Sequence, residues 1–183
     1  MVIIMQKKFD VAISYATEQK ELADNIYHYL RAQGWKVFFA PECQEILAGR
    51  NQREVFFQIF TEGAELVVLL VSKEYIAKKV PMEEANIAIS HHNDNGHVIP
   101  VYMYGAELPD EMWDKDSRNY YKSENPAKIS EVVNNILNGL KNSQGNKPSS
   151  NTFAKDNIYI GNNHANNQQI FINSQINGDN SNG

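Results

Sequence analysis

Cysteine and long apolar runs are nearly absent from this 183-residue sequence. Cys43 is the only cysteine, so the chain can form neither an intrachain disulfide nor a cysteine-based metal site, as is typical of a reducing compartment. The apolar start, residues 1–5, is cut short by Gln6, and no other stretch approaches the length that spans a bilayer. We therefore expect a cytoplasmic protein with no membrane partner.

An excess of positive charge is also missing. Lysine and arginine number 17 against 22 aspartates and glutamates, which gives a formal net charge of -5. A nucleic-acid-binding domain needs a basic surface that releases counterions from phosphates, so we expect no nucleic acid partner. A small anionic ligand stays compatible, because it requires only a local pocket of donors. The hydrophobic fraction of 42% is sufficient for one folded domain with an appendage.

The glycine-rich phosphate loops of the common nucleotide-binding folds do not occur. A P-loop or a Rossmann fingerprint would follow the first predicted strand, yet that position holds Ser14-Tyr15-Ala16-Thr17-Glu18, without a glycine. A response regulator would carry aspartates at its first and third strand ends, and these positions hold Ser-Tyr and Ser. The three chemistries are therefore excluded, whereas the general fold that they share is not.

Two kinds of apolar pattern, one typical of strands and one typical of helices, alternate along the first 140 residues. Short runs with apolar residues on both faces predict buried parallel strands at 9–15, 36–40, 66–71 and 98–102. Helical spacing predicts helices at 17–32, 51–61, 82–92 and 127–140, whereas residues 107–125 are irregular. This order predicts an α/β, flavodoxin-like parallel sheet flanked by helices. Ligands of such sheets bind beyond the carboxyl ends of the strands, here the loops at 14–16, 40–49 and 72–84.

Four segments match one known pattern in their order and spacing. The run FDVAISY at 9–15 reads aromatic-Asp-Val-x-Ile-Ser-aromatic, and VFFA at 37–40 precedes ILAG at 46–49. The third strand leads into a Ser-x-x-Tyr turn that ends at Tyr75, and Glu84 follows nine residues later. Together these segments resemble the TIR (Toll/interleukin-1 receptor) domain over residues 8–140. Glu84 stands where the NAD-cleaving members of that family carry their catalytic glutamate.

The resemblance implies a bacterial TIR enzyme that cleaves NAD as its substrate, with no metal and no other cofactor. Glu84 would be the catalytic residue, and the product would be ADP-ribose or a cyclic isomer. The resemblance further implies a role in anti-phage immunity and activation by self-assembly into a homo-oligomer through TIR-TIR contacts. The substrate-binding positions that it implies are Ser14, Tyr15, Ala16, Gly49, Arg50, Ser72, Tyr75 and Val80.

A second function stays open, because one position departs from the family pattern. Members often carry a tryptophan four residues before the glutamate, and here that position is Val80. A chain without this aromatic group is also consistent with a non-catalytic TIR adaptor, which would recruit other proteins through TIR-TIR and tail-tail interactions. Glu84 favours the enzyme, and Val80 favours the adaptor.

Helical spacing distinguishes Glu84 from its neighbour Glu83. Adjacent residues on a helix point about 100° apart, so only one of them can share the packed face. Glu84 aligns with Ile87, Ala88 and His91, whereas Glu83 aligns with polar residues. We therefore expect Glu84 to face the core and the cleft, and Glu83 to face solvent.

Each assignment has a simpler structural alternative. A glutamate near a helix N-terminus can merely complement the helix dipole, a contribution under about 1 kcal/mol. Tyr15 can contact the substrate or be an ordinary tyrosine at the edge of the core, and Arg50 can meet a phosphate or face solvent. His91, His92 and His97 lack a partner at metal-ligand spacing, so we interpret them as surface or helix-end residues.

The composition changes abruptly after the last predicted helix. It divides the chain into a TIR domain at 1–141, a linker at 142–156 and an Asn/Gln-rich tail at 157–183. The tail repeats an amide-Ile-aromatic-Ile pattern at 157–163 and 169–175, which predicts two short strands without protecting charge. It resembles the amyloid-like signalling motifs of some bacterial immune proteins, which assemble with a partner carrying a matching motif. The alternative is an inert, flexible tail.

Deletion of residues 142–183 tests the assembly role of the tail. If the tail drives assembly, the shortened chain will form smaller particles than the full chain at equal concentration, because the stacking strands are gone. Light scattering measures the particle size of both. An unchanged size would contradict the assembly role and favour the inert tail.

Overall fold

A five-stranded parallel sheet forms the centre of the computed structural model, which describes residues 8–92 and 95–145. The strands are β1 (Phe9–Tyr15), β2 (Val37–Phe38), β3 (Ala64–Val71), β4 (Val98–Tyr102) and β5 (Tyr121–Lys122). Their order in the sheet is β2-β1-β3-β4-β5, and every neighbouring pair is parallel. The predicted α/β, flavodoxin-like sheet flanked by helices is confirmed.

Six α-helices in the described part of the chain connect the strands and cover both faces of the sheet. They are α1 (Lys20–Ala32), α2 (Gln44–Leu47), α3 (Gln52–Gln58), α4 (Lys73–Ala77), α5 (Lys79–His92) and α6 (Pro126–Gly145). Two 3-10 turns, Thr17–Gln19 and Ala40–Glu42, follow β1 and β2, and a π-helical turn, Ile59–Gly63, ends α3. Among these described helices, none has the length and apolar character of a membrane span.

Strand β3 lies at the centre of the core, and its sequence AELVVLLV explains why. Its side chains alternate between two hydrophobic clusters. One cluster, shared with α3 and α5, contains Val67, Leu69 and Val71. The other, shared with α1 and α6, contains Leu66, Val68 and Leu70. A strand that is covered on both faces needs apolar residues at successive positions, and β3 provides them.

Side-chain caps determine where two of the helices begin. Ser72 follows β3 directly, and its Oγ accepts a hydrogen bond of 3.1 Å from the backbone N–H of Tyr75. Asn51 caps α3 in the same way, because its Oδ1 accepts from the backbone N–H groups of Arg53 and Glu54. These caps satisfy N–H groups that a first helical turn leaves without partners. A single residue, Ser72, therefore separates the end of β3 from the start of α4.

The structure contains three short elements that the sequence patterns do not predict, namely α2, α4 and β5. They have 4, 5 and 2 residues, too few to show a period. β5 pairs with β4 inside the segment 107–125, which the sequence predicts to be irregular. Helix α6 extends to Gly145, so its last turn overlaps the predicted linker. The predicted tail at 157–183, with its two strands, lies outside the described residues, and its boundaries stay predictions.

His92 corrects one of the interpretations made from sequence. It is 6% exposed, its Nε2 lies 3.0 Å from the carbonyl oxygen of Phe60, and its ring stacks on His97. His92 is the last residue of α5, so the helix-end interpretation is confirmed, but the expectation of a surface position is wrong for it, whereas His91 is exposed. The centre of the buried face of α5 lies between Glu84 and Ala85. His92, eight residues after Glu84, therefore falls on the buried face, and His91, seven residues after it, does not.

Phe60 and Phe57 form a matched pair for testing this packing. Phe60 is 1% exposed and Phe57 is 53% exposed, one helical turn apart. We expect Phe60→Ala to lower the free energy of unfolding by about 3–5 kcal/mol, because it leaves a cavity in the core. Phe57→Ala should change it by less than about 1 kcal/mol. Urea unfolding followed by circular dichroism measures both, and equal losses would contradict the packing.

Candidate active site

The carboxyl ends of β1 and β3 bring several predicted site residues to one edge of the sheet. The two strands are hydrogen-bonded neighbours, with Ser14 opposite Leu69 and Tyr15 opposite Leu70. Ser72 follows the end of β3, and α5 packs against β1. Because parallel neighbours end at the same edge, the loops that follow them meet there.

Two hydrogen bonds join a serine, a tyrosine and a glutamate from three different elements at this edge. Ser14 Oγ on β1 donates to Glu84 Oε2 on α5 over 2.7 Å. The same Oγ lies 2.7 Å from the hydroxyl oxygen of Tyr75 on α4. The exposed fractions of Ser14, Tyr75 and Glu84 are 1%, 0% and 8%. We call these three residues the buried hydrogen-bond chain.

Burial controls the protonation of Glu84. Loss of solvation is the larger influence and raises its pKa to about 7, and the hydrogen bond from Ser14 opposes that rise. A carboxylate loses the hydration that its charge requires when it is buried, whereas a hydroxyl donor stabilises the charge. Both the charged and the protonated forms are therefore populated near neutral pH. A carboxyl in this state can stabilise a cation or exchange a proton under physiological conditions.

Tyr15 presents a second hydroxyl at the same edge. Burial raises its pKa to about 12, and the negative charges of Glu84 and Asp24 add to the rise. Its ring packs on Phe39, with ring centroids 5.5 Å apart. The side chain remains partly exposed, so a neutral phenol lies in the field of Glu84 and within reach of solvent.

Glu83 points away from the buried hydrogen-bond chain. Its carboxylate lies 3.0 Å from Arg53 Nη2 and 3.7 Å from Lys79 Nζ, and its side chain is 38% exposed. Exposed ion pairs of this kind contribute about 0–1 kcal/mol and leave the carboxylate solvated. The structure thus separates the two adjacent glutamates in the way that helical spacing predicts.

Gln19 belongs to the same edge, although no sequence pattern indicates it. Its Oε1 accepts a hydrogen bond of 2.8 Å from Ser72 Oγ, and its Nε2 donates to Glu74 over 3.2 Å. Lys78 Nζ adds an ion pair of 2.6 Å with Glu18. The loop after β1 is thereby joined to the helix after β3. The sequence indicates this contact only indirectly, because the loop after β1 and the helix after β3 follow strands that end at the same edge of the sheet.

Three of the predicted substrate-binding positions are not members of the buried hydrogen-bond chain. Gly49 follows α2 with a φ of 71°, a conformation that glycine adopts readily. Arg50 is exposed, and within the described residues its side chain makes no hydrogen bond or ion pair with the chain. Val80 is 45% exposed in the first turn of α5. Ala16, in contrast, is 1% exposed directly after Tyr15.

Carboxyl, hydroxyl and amide groups supply the chemistry of this edge. Across residues 8–92 and 95–145, no group of three or more His, Cys, Asp or Glu side chains could hold a metal ion. Cys43 is buried as a free thiol. His97 and Glu65, whose side chains approach to 3.3 Å, lie at the amino ends of the strands, away from Glu84.

Comparison with known proteins identifies the class to which this fold and site belong. A family model for the TIR domain matches residues 11–133. This match covers more than half of the chain, which therefore belongs to the TIR domain family.

The proteins similar to this chain include one curated relative and two solved structures. The 3' cyclic ADP-D-ribose synthase AaTIR of Aquimarina amphilecti is 26% identical over 105 residues, which are 56% of this chain and 32% of the relative. The chain thus spans about a third of that relative's length. The TIR domain of the Toll-related receptor TRR-2 from Hydra magnipapillata is 19% identical, with a TM-score of 0.54 over 75% of this chain and 99% of that one. A metazoan TIR-STING receptor from C. gigas is 15% identical, with a TM-score of 0.56 over 70% of this chain and 39% of that one.

The raised pKa of Glu84 predicts a stability that depends on pH. Between pH 4.5 and about 7 the folded state holds a proton on Glu84 that the unfolded state has released, so the protein loses stability as the pH rises through this window. The glutamine side chain of Glu84→Gln is neutral at every pH, so this variant does not lose stability in the window. Its free energy of unfolding relative to the wild type should therefore increase across the window, on the order of 2–3 kcal/mol.

Glu83→Gln is the matched control, because it removes the same charge from an exposed neighbour. It should change the free energy of unfolding by less than about 1 kcal/mol. Denaturant unfolding of the three proteins between about pH 4.5 and about pH 8 provides the comparison. A difference between the wild type and Glu84→Gln that does not vary with pH would contradict the raised pKa.

Proposed function

We propose that this TIR-domain protein is an enzyme that cleaves NAD, either as an NAD glycohydrolase or as an ADP-ribose cyclase. The observation that carries the proposal is a buried glutamate at the carboxyl edge of the sheet, with a pKa of about 7 and one serine donor. The name of the AaTIR relative supports it, because a cyclic ADP-ribose retains the part of NAD that remains after nicotinamide leaves.

The reaction needs one carboxylate rather than an acid and a base. The bond between the nicotinamide nitrogen and C1 of the ribose breaks, and its electron pair neutralises the positive charge of the pyridinium ring. Nicotinamide therefore leaves without a proton, and the ribose becomes an oxocarbenium-like cation, as in glycoside hydrolysis. The carboxylate of Glu84 stabilises this cation. Attack by water, which then releases a proton, yields ADP-ribose, and attack by another atom of the same molecule yields a cyclic product.

The remaining predicted residues have supporting roles in this proposal. Ser14 holds the carboxylate, and Tyr15 contacts the ribose through its neutral phenol. Ser72 and Tyr75 shape the edge from the helix after β3. Ala16 has a small side chain that leaves room next to Tyr15. Val80 occupies the position at which other members stack an aromatic ring, so the nicotinamide meets an aliphatic side chain here.

Self-assembly completes the site in our proposal. Gly49 and Arg50 are exposed, and within the described residues Arg50 makes no hydrogen bond or ion pair with Glu84. A neighbouring copy would bring this loop to the edge that holds Glu84, where Arg50 would meet a phosphate of NAD. The tail at 157–183 would raise the local concentration of TIR domains and so favour this contact. Such an enzyme in the bacterial cytoplasm would act in anti-phage immunity, with assembly as its trigger.

Val80 supports one alternative function, a non-catalytic TIR adaptor. Its side chain is 45% exposed on the turn that precedes Glu84, where it offers an aliphatic contact surface rather than an aromatic ring. An adaptor would use TIR-TIR and tail-tail interactions to recruit a partner that carries a matching tail motif. Glu84 would then be a structural residue of α5.

Glu84→Gln separates the enzyme from the adaptor. The wild type, at high concentration with NAD, should release nicotinamide, and Glu84→Gln should release it at least about a hundredfold more slowly, because the neutral amide cannot stabilise the cation. Glu83→Gln is the matched control and should remain close to the wild type. Chromatography of nicotinamide and of every ADP-ribose product measures the rate and distinguishes the hydrolase from the cyclase.

The pH dependence of NAD cleavage by the same proteins provides a second test. Only the charged form of Glu84 stabilises the cation, so kcat/KM should rise with pH through about 7 and then level off. Full NAD loss in Glu84→Gln would refute the mechanism. No NAD loss by wild-type protein that has visibly assembled would favour the adaptor.

A further inference from the structure

The direction of the hydrogen bond between Ser14 and Tyr75 follows from a count of protons. Both groups are hydroxyls, and their oxygens are 2.7 Å apart, so the distance alone leaves the donor open. Ser14 has a single hydroxyl proton, which it donates to Glu84 Oε2 over 2.7 Å. Tyr75 must therefore be the donor to Ser14, and the protons point from Tyr75 through Ser14 to Glu84.

The hydroxyl of Tyr75 keeps its proton and therefore remains a hydrogen-bond donor. It is 0% exposed, and burial is the main cause that raises the pKa of its phenol above the ordinary value. The hydroxyl therefore keeps its proton at any physiological pH. Its backbone N–H is also held, because it donates to Ser72 Oγ over 3.1 Å. Tyr75 is thus anchored at its main chain and at the end of its side chain.

We propose that Tyr75 is a positioning residue, which acts through Ser14 to reserve Oε2 of Glu84 as a hydrogen-bond acceptor and to leave Oε1 for the substrate. Within the described residues, Oε1 accepts no hydrogen bond, whereas Oε2 accepts the one from Ser14. A proton that binds to Glu84 consequently resides on Oε1. The part of this inference that concerns the substrate rests on the proposed NAD-cleaving function.

The opposite arrangement is unfavourable. A proton on Oε2 would turn the hydrogen bond with Ser14 around, so that Ser14 accepts from Glu84. If Ser14 then donates to Tyr75, the phenolic proton has no acceptor, and if Ser14 accepts from Tyr75 as well, its own proton has none. Either way a buried donor is left unsatisfied, which is destabilising. The two hydroxyls therefore decide which oxygen of Glu84 can carry the proton.

The titratable groups near Glu84 come from the elements packed around it. Tyr15 on β1 and Tyr75 on α4 both feel its charge, and the pKa of each phenol is raised. Glu83, on the same helix, is turned toward Arg53 and Lys79. Replacing Tyr75 by phenylalanine removes a neutral group, so any change in the titration of Glu84 reports the hydrogen bonds and not a new charge.

Carbon-13 NMR of glutamate side-chain carboxyls tests the proposal without any assay of activity. The full chain is titrated as the wild type, Tyr75→Phe, Ser14→Ala and the double variant, and Glu84→Gln identifies the signal. Tyr75→Phe should raise the pKa of Glu84 by about half a unit to one unit, and Ser14→Ala by about one to two units. The double variant should equal Ser14→Ala, because Tyr75 acts only through Ser14.

Two controls match the buried positions. Tyr102→Phe changes an equally buried tyrosine whose hydroxyl lies near Glu107 and Asp110 rather than Glu84. Ser130→Ala changes an equally buried serine that donates to the carbonyl oxygen of Pro126. Both should leave the titration of Glu84 unchanged.

The outcomes separate the hydrogen-bond chain from the enzyme function. An unchanged Glu84 titration in Tyr75→Phe, or additive shifts in the double variant, would overturn the positioning role. If the wild type cleaves NAD, Tyr75→Phe should lower kcat about two- to tenfold with little change in KM, and should move the midpoint of the pH profile upward. If the variants shift the pKa of Glu84 as expected but the wild type does not cleave NAD, the result would support the buried hydrogen-bond chain and refute the proposed enzyme function.

Discussion

The hydrogen bond from Ser14 Oγ to Glu84 Oε2 is the interaction on which the candidate site depends. It joins the central sheet to α5 at the edge where the strands end. Burying a carboxylate is unfavourable unless other groups stabilise its charge, and here one hydroxyl donor does so only in part. The balance holds the pKa of Glu84 at about 7. The Ser14 contact therefore holds the carboxylate in position, and burial together with this contact sets its charge.

The surrounding loops keep that contact in place. Ser72 caps α4 and also donates to Gln19, so one side chain ties the helix after β3 to the turn after β1. The fold by itself does not define the chemistry, because a TIR sheet of this kind also occurs in receptors of low identity to this chain. What makes this chain a candidate enzyme is the placement of a buried carboxyl, a serine and a tyrosine at one edge.

Local patterns predicted the long elements and failed for the short ones. β3 and α5 carry enough residues for their apolar period to show, and both lie close to where periodicity places them. β5 has two residues and exists because β4 offers it a hydrogen-bonding edge. Helix α4 has five residues and depends on the Ser72 cap and on the burial of Tyr75.

By itself the sequence determined the alternation of strands and helices, the edge of the sheet at which the predicted residues Ser14, Tyr75 and Glu84 meet, and the side of α5 on which Glu84 lies. These follow from the apolar periodicity and from the order of strands and helices along the chain, which the sequence shows directly. Only the tertiary structure decided that Ser14 meets Glu84, 70 positions away, together with Tyr75. It also decided that His92 is buried and that the pKa of Glu84 is raised. Burial and hydrogen-bond partners depend on residues brought together from distant elements, and no local pattern encodes them.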